Sequence, residues 1–177
     1  MACSSITLAG IGLGCKDSMG GIKEVYIIKE NDVTGITVEE NIITAIETST
    51  SAKFKTYKFR KGTSSMSTSL TTDEAAGTLS FQTDLALQFT KMETAKRLEI
   101  MALAVDSVVV IVLDSNGHYW YLGKDFPVTA SSATANSGTA FGDFSGYNIT
   151  LTDNSRELPY EVEASIVSAL IDEAPNA

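Results

Sequence analysis

The sequence predicts a mainly β protein: a two-sheet β-sandwich or barrel with one flanking α-helix at about 91–105 and a long protruding β-hairpin at about 53–89. Three observations predict it. Residues 77–89 alternate strictly, with Leu79, Phe81, Leu85, Leu87 and Phe89 on one face and Thr78, Ser80, Gln82, Asp84 and Gln88 on the other. That period is the mark of a half-buried strand. Thr90-Lys-Met-Glu93 reads as a capping box that opens a helix. Val108-Val-Val-Ile-Val-Leu113 is a buried-type apolar run, and Asn116-Gly117 after it is a strong short hairpin signal.

The elements follow in order. Residues 1–21 are rich in Gly and Ser and read as a flexible N-terminal arm, with Ile11 and Leu13 its apolar anchors. Gly10, Gly12 and Gly14 alternate, but Cys15 stands where a dinucleotide fingerprint needs its third glycine, and a strand follows instead of a helix. Residues 22–170 form one sandwich domain. Its first strand, 22–29, is apolar on both faces in its middle, and a turn follows at Asn31-Asp32. Residues 37–47 give one or two short strands around Asn41. Residues 53–61 read as a strand whose alternation slips between Phe54 and Tyr57, which predicts a bulge. Its bases, Lys53, Lys55, Lys58, Arg60 and Lys61, read as a solvated or subunit-facing row in so acidic a chain.

The Ser/Thr stretch 62–72 continues the hairpin and has too few apolar residues to pack on a core of its own. On the helix, Ala95, Leu98, Met101, Ala102 and Val105 form an apolar stripe, and Glu93 and Arg97 an i,i+4 pair. A two-residue type I′ turn at Asn116-Gly117 sets Leu113 against Trp120 and Ile111 against Leu122. Residues 124–145 read as a long small-residue loop anchored by Phe126, Phe141 and Phe144, with Asp143 as a turn former. Tyr147, Ile149 and Leu151 resume alternation, and Leu158 to Ile166 alternate as a last strand. Residues 171–177 form a short acidic tail.

Composition narrows the function. The formal net charge is −9, with 22 acidic against 13 basic residues, which disfavours sequence-specific DNA binding and suits a surface that DNA slides past. Cys3 and Cys15 read as two free thiols, and the single His118, beside a turn, completes neither a zinc set nor a catalytic triad. With no nucleophile–base pair and no acid–base pair, the chain reads as no enzyme and as needing no cofactor or metal. Met1-Ala-Cys-Ser-Ser has neither a charged n-region nor an apolar h-region, and no run approaches the length of a membrane span. The protein therefore reads as cytosolic when made, without membrane insertion.

The run Asp114-Ser-Asn-Gly-His-Tyr-Trp-Tyr-Leu-Gly123, the stretch Thr139-Ala-Phe-Gly-Asp-Phe-Ser-Gly-Tyr-Asn-Ile-Thr-Leu151, and Glu157-Leu-Pro-Tyr-Glu-Val-Glu163 resemble bacteriophage tail tube (major tail) proteins. Gly20-Gly-Ile-Lys-Glu-Val-Tyr-Ile27 and the helix after a long hairpin agree, so the likeness spans most of 20–168. It implies a virion structural protein, assembled in the cytoplasm of a bacterial host, whose hexameric rings stack into a tail tube. The tube is a conduit for the tape measure protein and then for genomic double-stranded DNA. The implied partners are other copies of the chain, the tape measure protein and the tail terminator or connector proteins. Independently of the likeness, a two-sheet β-protein exposes edge strands that a ring can join head to tail. The expected inter-subunit residues are Ser64, Ser65, Met66, Leu70, Phe126, Phe141, Phe144, Ile11 and Leu13.

Two other readings stay open. A ring at a tail connector or in a phage-derived injection device shares the same features. A β-sandwich binding module for a glycan or a protein surface would present Tyr119, Tyr121, Phe126 and Phe141 together on one face or loop cluster.

Overall fold

In the computed structural model the described residues are 10–49 and 52–172. Cys3 with the first nine residues of the N-terminal arm, and most of the acidic tail, lie outside them. The strands are β1 (Ile22–Lys29), β2 (Val33–Glu39), β3 (Ile42–Thr48), β4 (Phe54–Lys58), β5 (Ser65–Asp73), β6 (Thr78–Thr90), β7 (Val108–Asp114), β8 (Tyr119–Leu122), β9 (Thr129–Asn136), β10 (Gly146–Ser155), β11 (Tyr160–Val162) and β12 (Ile171–Asp172). The helices are α1 (Thr94–Val105) and α2 (Ala164–Leu170). Eight strands form one sheet in the order β12-β4-β1-β7-β8-β11-β3-β2, and four form a second, β5-β6-β10-β9.

β1 and β7 sit at the heart of the larger sheet and bury both faces, which is why their sequences read as apolar runs without alternation. Val25, Ile27, Val110 and Val112 point into a first core, shared with Leu85, Leu87, Ile149 and Leu151 of the small sheet and with Ile100 and Leu103 of α1. Tyr26, Ile28, Val109 and Ile111 point the other way, into a second core. The larger sheet curls around that second core, so Ile43 and Ile46 of β3, Phe54 of β4 and Val167 of α2 close it. The two-sheet sandwich with a flanking helix is therefore as the sequence predicts. The β2–β3 turn is also where Asn41 predicts it, with Glu40 and Asn41 both at positive φ (49° and 66°).

Several elements differ in detail. The hairpin is β5–β6 alone, because β4 pairs with β1 in the larger sheet. The β4 register against β1 runs without a shift, so there is no bulge. Phe54 and Tyr57 break the alternation because they serve different cores. Thr90 is the last residue of β6, Lys91 takes φ 67°, and Glu93 sits at the N-cap without a side-chain cap, so α1 starts at Thr94 and the capping box does not form. Glu93 pairs with Lys96 at 3.0 Å, not with Arg97.

The stripe expected to face the core faces outward. α1 buries Ile100 and Leu103, while Leu98 and Met101 are about half exposed and Val105 is 85% exposed. The helix is apolar on opposite sides, and spacing alone does not say which side the chain's own core takes.

The 115–117 loop is three residues long. Only Gly117 is at positive φ (96°), whereas a type I′ turn needs it at both central positions. Asp114 Oδ1 accepts the N–H groups of Asn116 (2.8 Å) and His118 (2.9 Å), and Oδ2 accepts the Trp120 indole N–H (3.2 Å). The register moves by one: Val112 opposes Trp120 and Ile111 opposes Tyr121. Tyr121 thereby enters the second core and Trp120 packs on the first.

The long loop at 124–145 contains an eight-residue strand, β9, which pairs along β10. The last strand stops at Val162, and α2 follows because Ile166, Val167 and Leu170 meet the second core at helical spacing. The first two residues of the expected tail, Ile171 and Asp172, pair in parallel with Phe54 and Lys55 as β12.

Candidate assembly surface

The two sheets treat their borders differently. The larger sheet ends in β12, only two residues long, and in β2, whose pairing with β3 shifts register twice. Short edges and bulges discourage further pairing. The small sheet ends in β5, nine residues reading SMSTSLTTD, and β9, eight residues reading TASSATAN. Neither carries Lys, Arg or Pro, and among the described residues no strand pairs with their outer sides. Each therefore offers a long unguarded row of backbone donors and acceptors. Every neighbouring pair in this sheet is antiparallel, so β5 and β9 run in opposite directions.

The two faces of the small sheet also differ. Thr83, Leu85, Leu87, Tyr147, Ile149 and Leu151 point into the molecule and are buried. The opposite face is set by register. Ser67, Asp84 and Thr152 share one rung, Ser69, Gln82 and Asn154 another, and Thr134, Asn148 and Gln88 a third. Asp84 accepts hydrogen bonds from the Thr152 hydroxyl at 2.7 Å and from the Gln82 amide at 3.1 Å. These rungs carry hydroxyls and amides, one carboxylate and no cation.

Past the rung of Phe81 with Ser155, β5 and β6 continue as a two-stranded overhang. Its tip is the 74–77 turn, where Asp73 Oδ1 accepts the N–H groups of Ala75 (2.9 Å) and Ala76 (3.1 Å). On its underside Leu79 is 51% exposed, and Leu70, on the Phe81 rung at its base, is 54% exposed. Charge differs between the two ends of the sheet. Asp73 and Glu74 stand at the overhang's tip, and Arg60 and Lys61 in the β4–β5 connection at the other end, exposed and in no ion pair among the described residues.

The expected interface residues divide. Ile11, Leu13, Phe126 and Phe141 are exposed, as are Ser65 and Leu70 on the β5 edge. Met66 and Phe144 are half-buried. Ser64 leaves the set: it is buried, and its hydroxyl oxygen accepts the Gln88 N–H at 3.3 Å. The β9 edge and the outward side of α1 were not in the set. The absence of Lys and Pro from 129–136 was the legible signal for the first, and a second apolar stripe on α1 for the other.

No family model matches this chain, and neither a curated protein nor a solved structure matches it.

The basic row is split. Lys55 pairs with Asp172 at 2.6 Å and Lys58 with Glu24 at 3.6 Å. His118 Nδ1 lies 2.7 Å from Glu161 Oε1, and this hydrogen bond and charge raise the imidazole's pKa. Asp143 takes the N–H groups of Thr139 (2.8 Å) and Ala140 (2.7 Å) and is held below the usual carboxylate range by them, so it is a turn former as expected. No group of three or more His, Cys, Asp or Glu among the described residues is placed to hold a metal. A recess of about 200 Å³ between α1 and β4 is smaller than ordinary ligand pockets. No helix of the described residues is long and apolar enough to cross a membrane.

Proposed function

We propose that this chain is a structural subunit that closes into rings by joining β9 of one copy to β5 of the next, and that the rings stack into a tube of the phage tail type. One observation carries the reading: both borders of the small sheet are long, uncharged apart from Asp73, and unguarded, while those of the larger sheet are short or bulged. Because β5 and β9 run in opposite directions, copies related by a rotation meet antiparallel, and the alternation continues across every junction. A ring of six such sheets would close about 24 strands, well beyond the 16 to 18 that already leave an aqueous channel.

The hydroxyl- and amide-covered face would line the channel. It offers phosphates no Lys or Arg, so nucleic acid passes without the contacts that hold it elsewhere. The acidic overhang of one ring would meet the basic β4–β5 connection of the next, a head-to-tail contact that leaves a filament open. On this reading the chain is not an enzyme, and its home is the virion tail. The tape measure, terminator or connector proteins and transiting DNA are its other partners.

The test is sedimentation velocity and negative-stain microscopy of purified protein across a range of concentrations. Annular particles and stacks are expected; a chain that stays monomeric at every concentration overturns the reading. A binding module for glycans has less behind it. Tyr121 is buried, Tyr119 packs on Tyr26 with ring centroids 6.3 Å apart, and only Phe126 and Phe141 of its four aromatics are exposed.

A further inference from the structure

We infer that the outward side of α1 is a contact for a second copy and receives the underside of the neighbour's β5–β6 hairpin. This rests on the β9-to-β5 junction proposed above. α1 lies alongside β9 on the inner side of the small sheet, the side from which it sends Ile100 and Leu103 into the core. Its opposite side carries Leu98, Met101 and Val105 at i, i+3 and i+7, exposed by 56%, 52% and 85%.

A helix apolar on opposite sides is a helix covered on both. Nothing among the described residues covers the second side. The β5–β6 overhang has the complementary shortage, since Leu70 and Leu79 have no core beneath them. A neighbour whose β5 pairs with β9 extends the sheet beyond β9. Its inner face then lies on the same side as α1, so the two uncovered apolar surfaces meet at the junction. The occupant is another copy of this chain because the same strand that borders α1 is the unguarded edge. The contact is heterologous, α1 of one copy to the hairpin of the next.

The experiment compares the parent chain with Leu98→Glu/Met101→Glu. Both side chains are already half in water, so melting of the dilute monomer should match the parent. The concentration for half-assembly should rise by about 100-fold or more once two buried apolar side chains become charged. A second arm uses Val105→Cys with Leu70→Cys in a Cys3→Ser/Cys15→Ser background, treated with a short bismaleimide. A ladder of covalent oligomers is expected from the two-cysteine chain and none from either single-cysteine chain. Assembly of the double-Glu variant at the parental concentration together with no ladder overturns this contact and leaves the edge pairing standing. A parent that never assembles overturns the edge pairing and this contact with it. If the double-Glu variant melts lower than the parent, the ladder alone decides.

Discussion

Gly146 has the least room for a side chain of any glycine among the described residues. A Cβ built there would lie 2.1 Å from the Phe89 carbonyl oxygen, which is backbone and cannot move aside. Gly146→Ala is expected to cost about 2–3 kcal/mol in urea unfolding. Asp153 sets a pH dependence. It is 2% exposed, and its Oδ1 has no hydrogen-bond partner. Burial pushes its pKa from 3.8 up to about 6; the Gly123 N–H opposes that rise and Asp125 adds to it. The folded chain therefore holds a proton that the unfolded chain has released across this window. Stability is full below about pH 4 and falls as pH rises through about 6. Asp153→Asn should raise the melting temperature at pH 8, with the gap closing by about pH 4. Asp153-Asn-Ser155 reads from its residue types as a turn, but β10 continues through Ser155, so the alternation of Tyr147, Ile149 and Leu151 carries Asp153 onto the apolar side. Asp114 was just as hidden. A dipeptide rule reads Asn116-Gly117 as a two-residue turn, and only the carboxylate's hold on two N–H groups and an indole shows why the loop takes a third residue.

At the scale of elements, period-two alternation was legible wherever one face meets water, as along β6 and β10. It failed where a strand is covered on both sides, as in β4, and where short apolar runs fit two periods, as around Ile166 and Val167. The α1 stripe shows a different limit. The period was read correctly, but the side facing the chain's own core depends on which surfaces the sheets leave open. The edges carry their own test. Ala133 of β9 is exposed and points to the inner side, so Ala133→Lys plants the kind of inward charge that guards natural edges. A folded monomer by circular dichroism that no longer forms rings by microscopy is the expected result. Replacing residues 71–80 by a tight turn should give separate rings without stacks, closing at a higher concentration than the parent because Leu79 is lost while the β9 edge and rungs 65–70 remain. That replacement stops short of Ser64, which holds the Gln88 N–H.

For the whole molecule, a net charge of −9 opposes bringing copies together, while in the proposed tube Asp73 and Glu74 against Arg60 and Lys61 would favour one ring on the next. Salt should therefore act with opposite signs on the two contacts. Raising it from roughly 0.05 M to 0.5 M is expected to lower the concentration at which rings close and to shorten the stacks, read by sedimentation and by measured tube length. The fold class was visible in the sequence because the alternating runs and the helix are local. The curl of the larger sheet around a second core was not, because it depends on β3, β11 and α2 meeting across more than a hundred residues. The even strand count of the small sheet has a consequence for size. If β9 of any copy accepts β5 of any other, as proposed, hydrogen bonding alone would not fix the tally of protomers. Curvature would have to fix it, and the bore of such a ring could widen only by one whole protomer at a time. The bulge at Ser131, opposite Thr150 and Leu151, would then be a gauge: removing Ser131 would reset the calibre of the proposed channel without touching its chemistry.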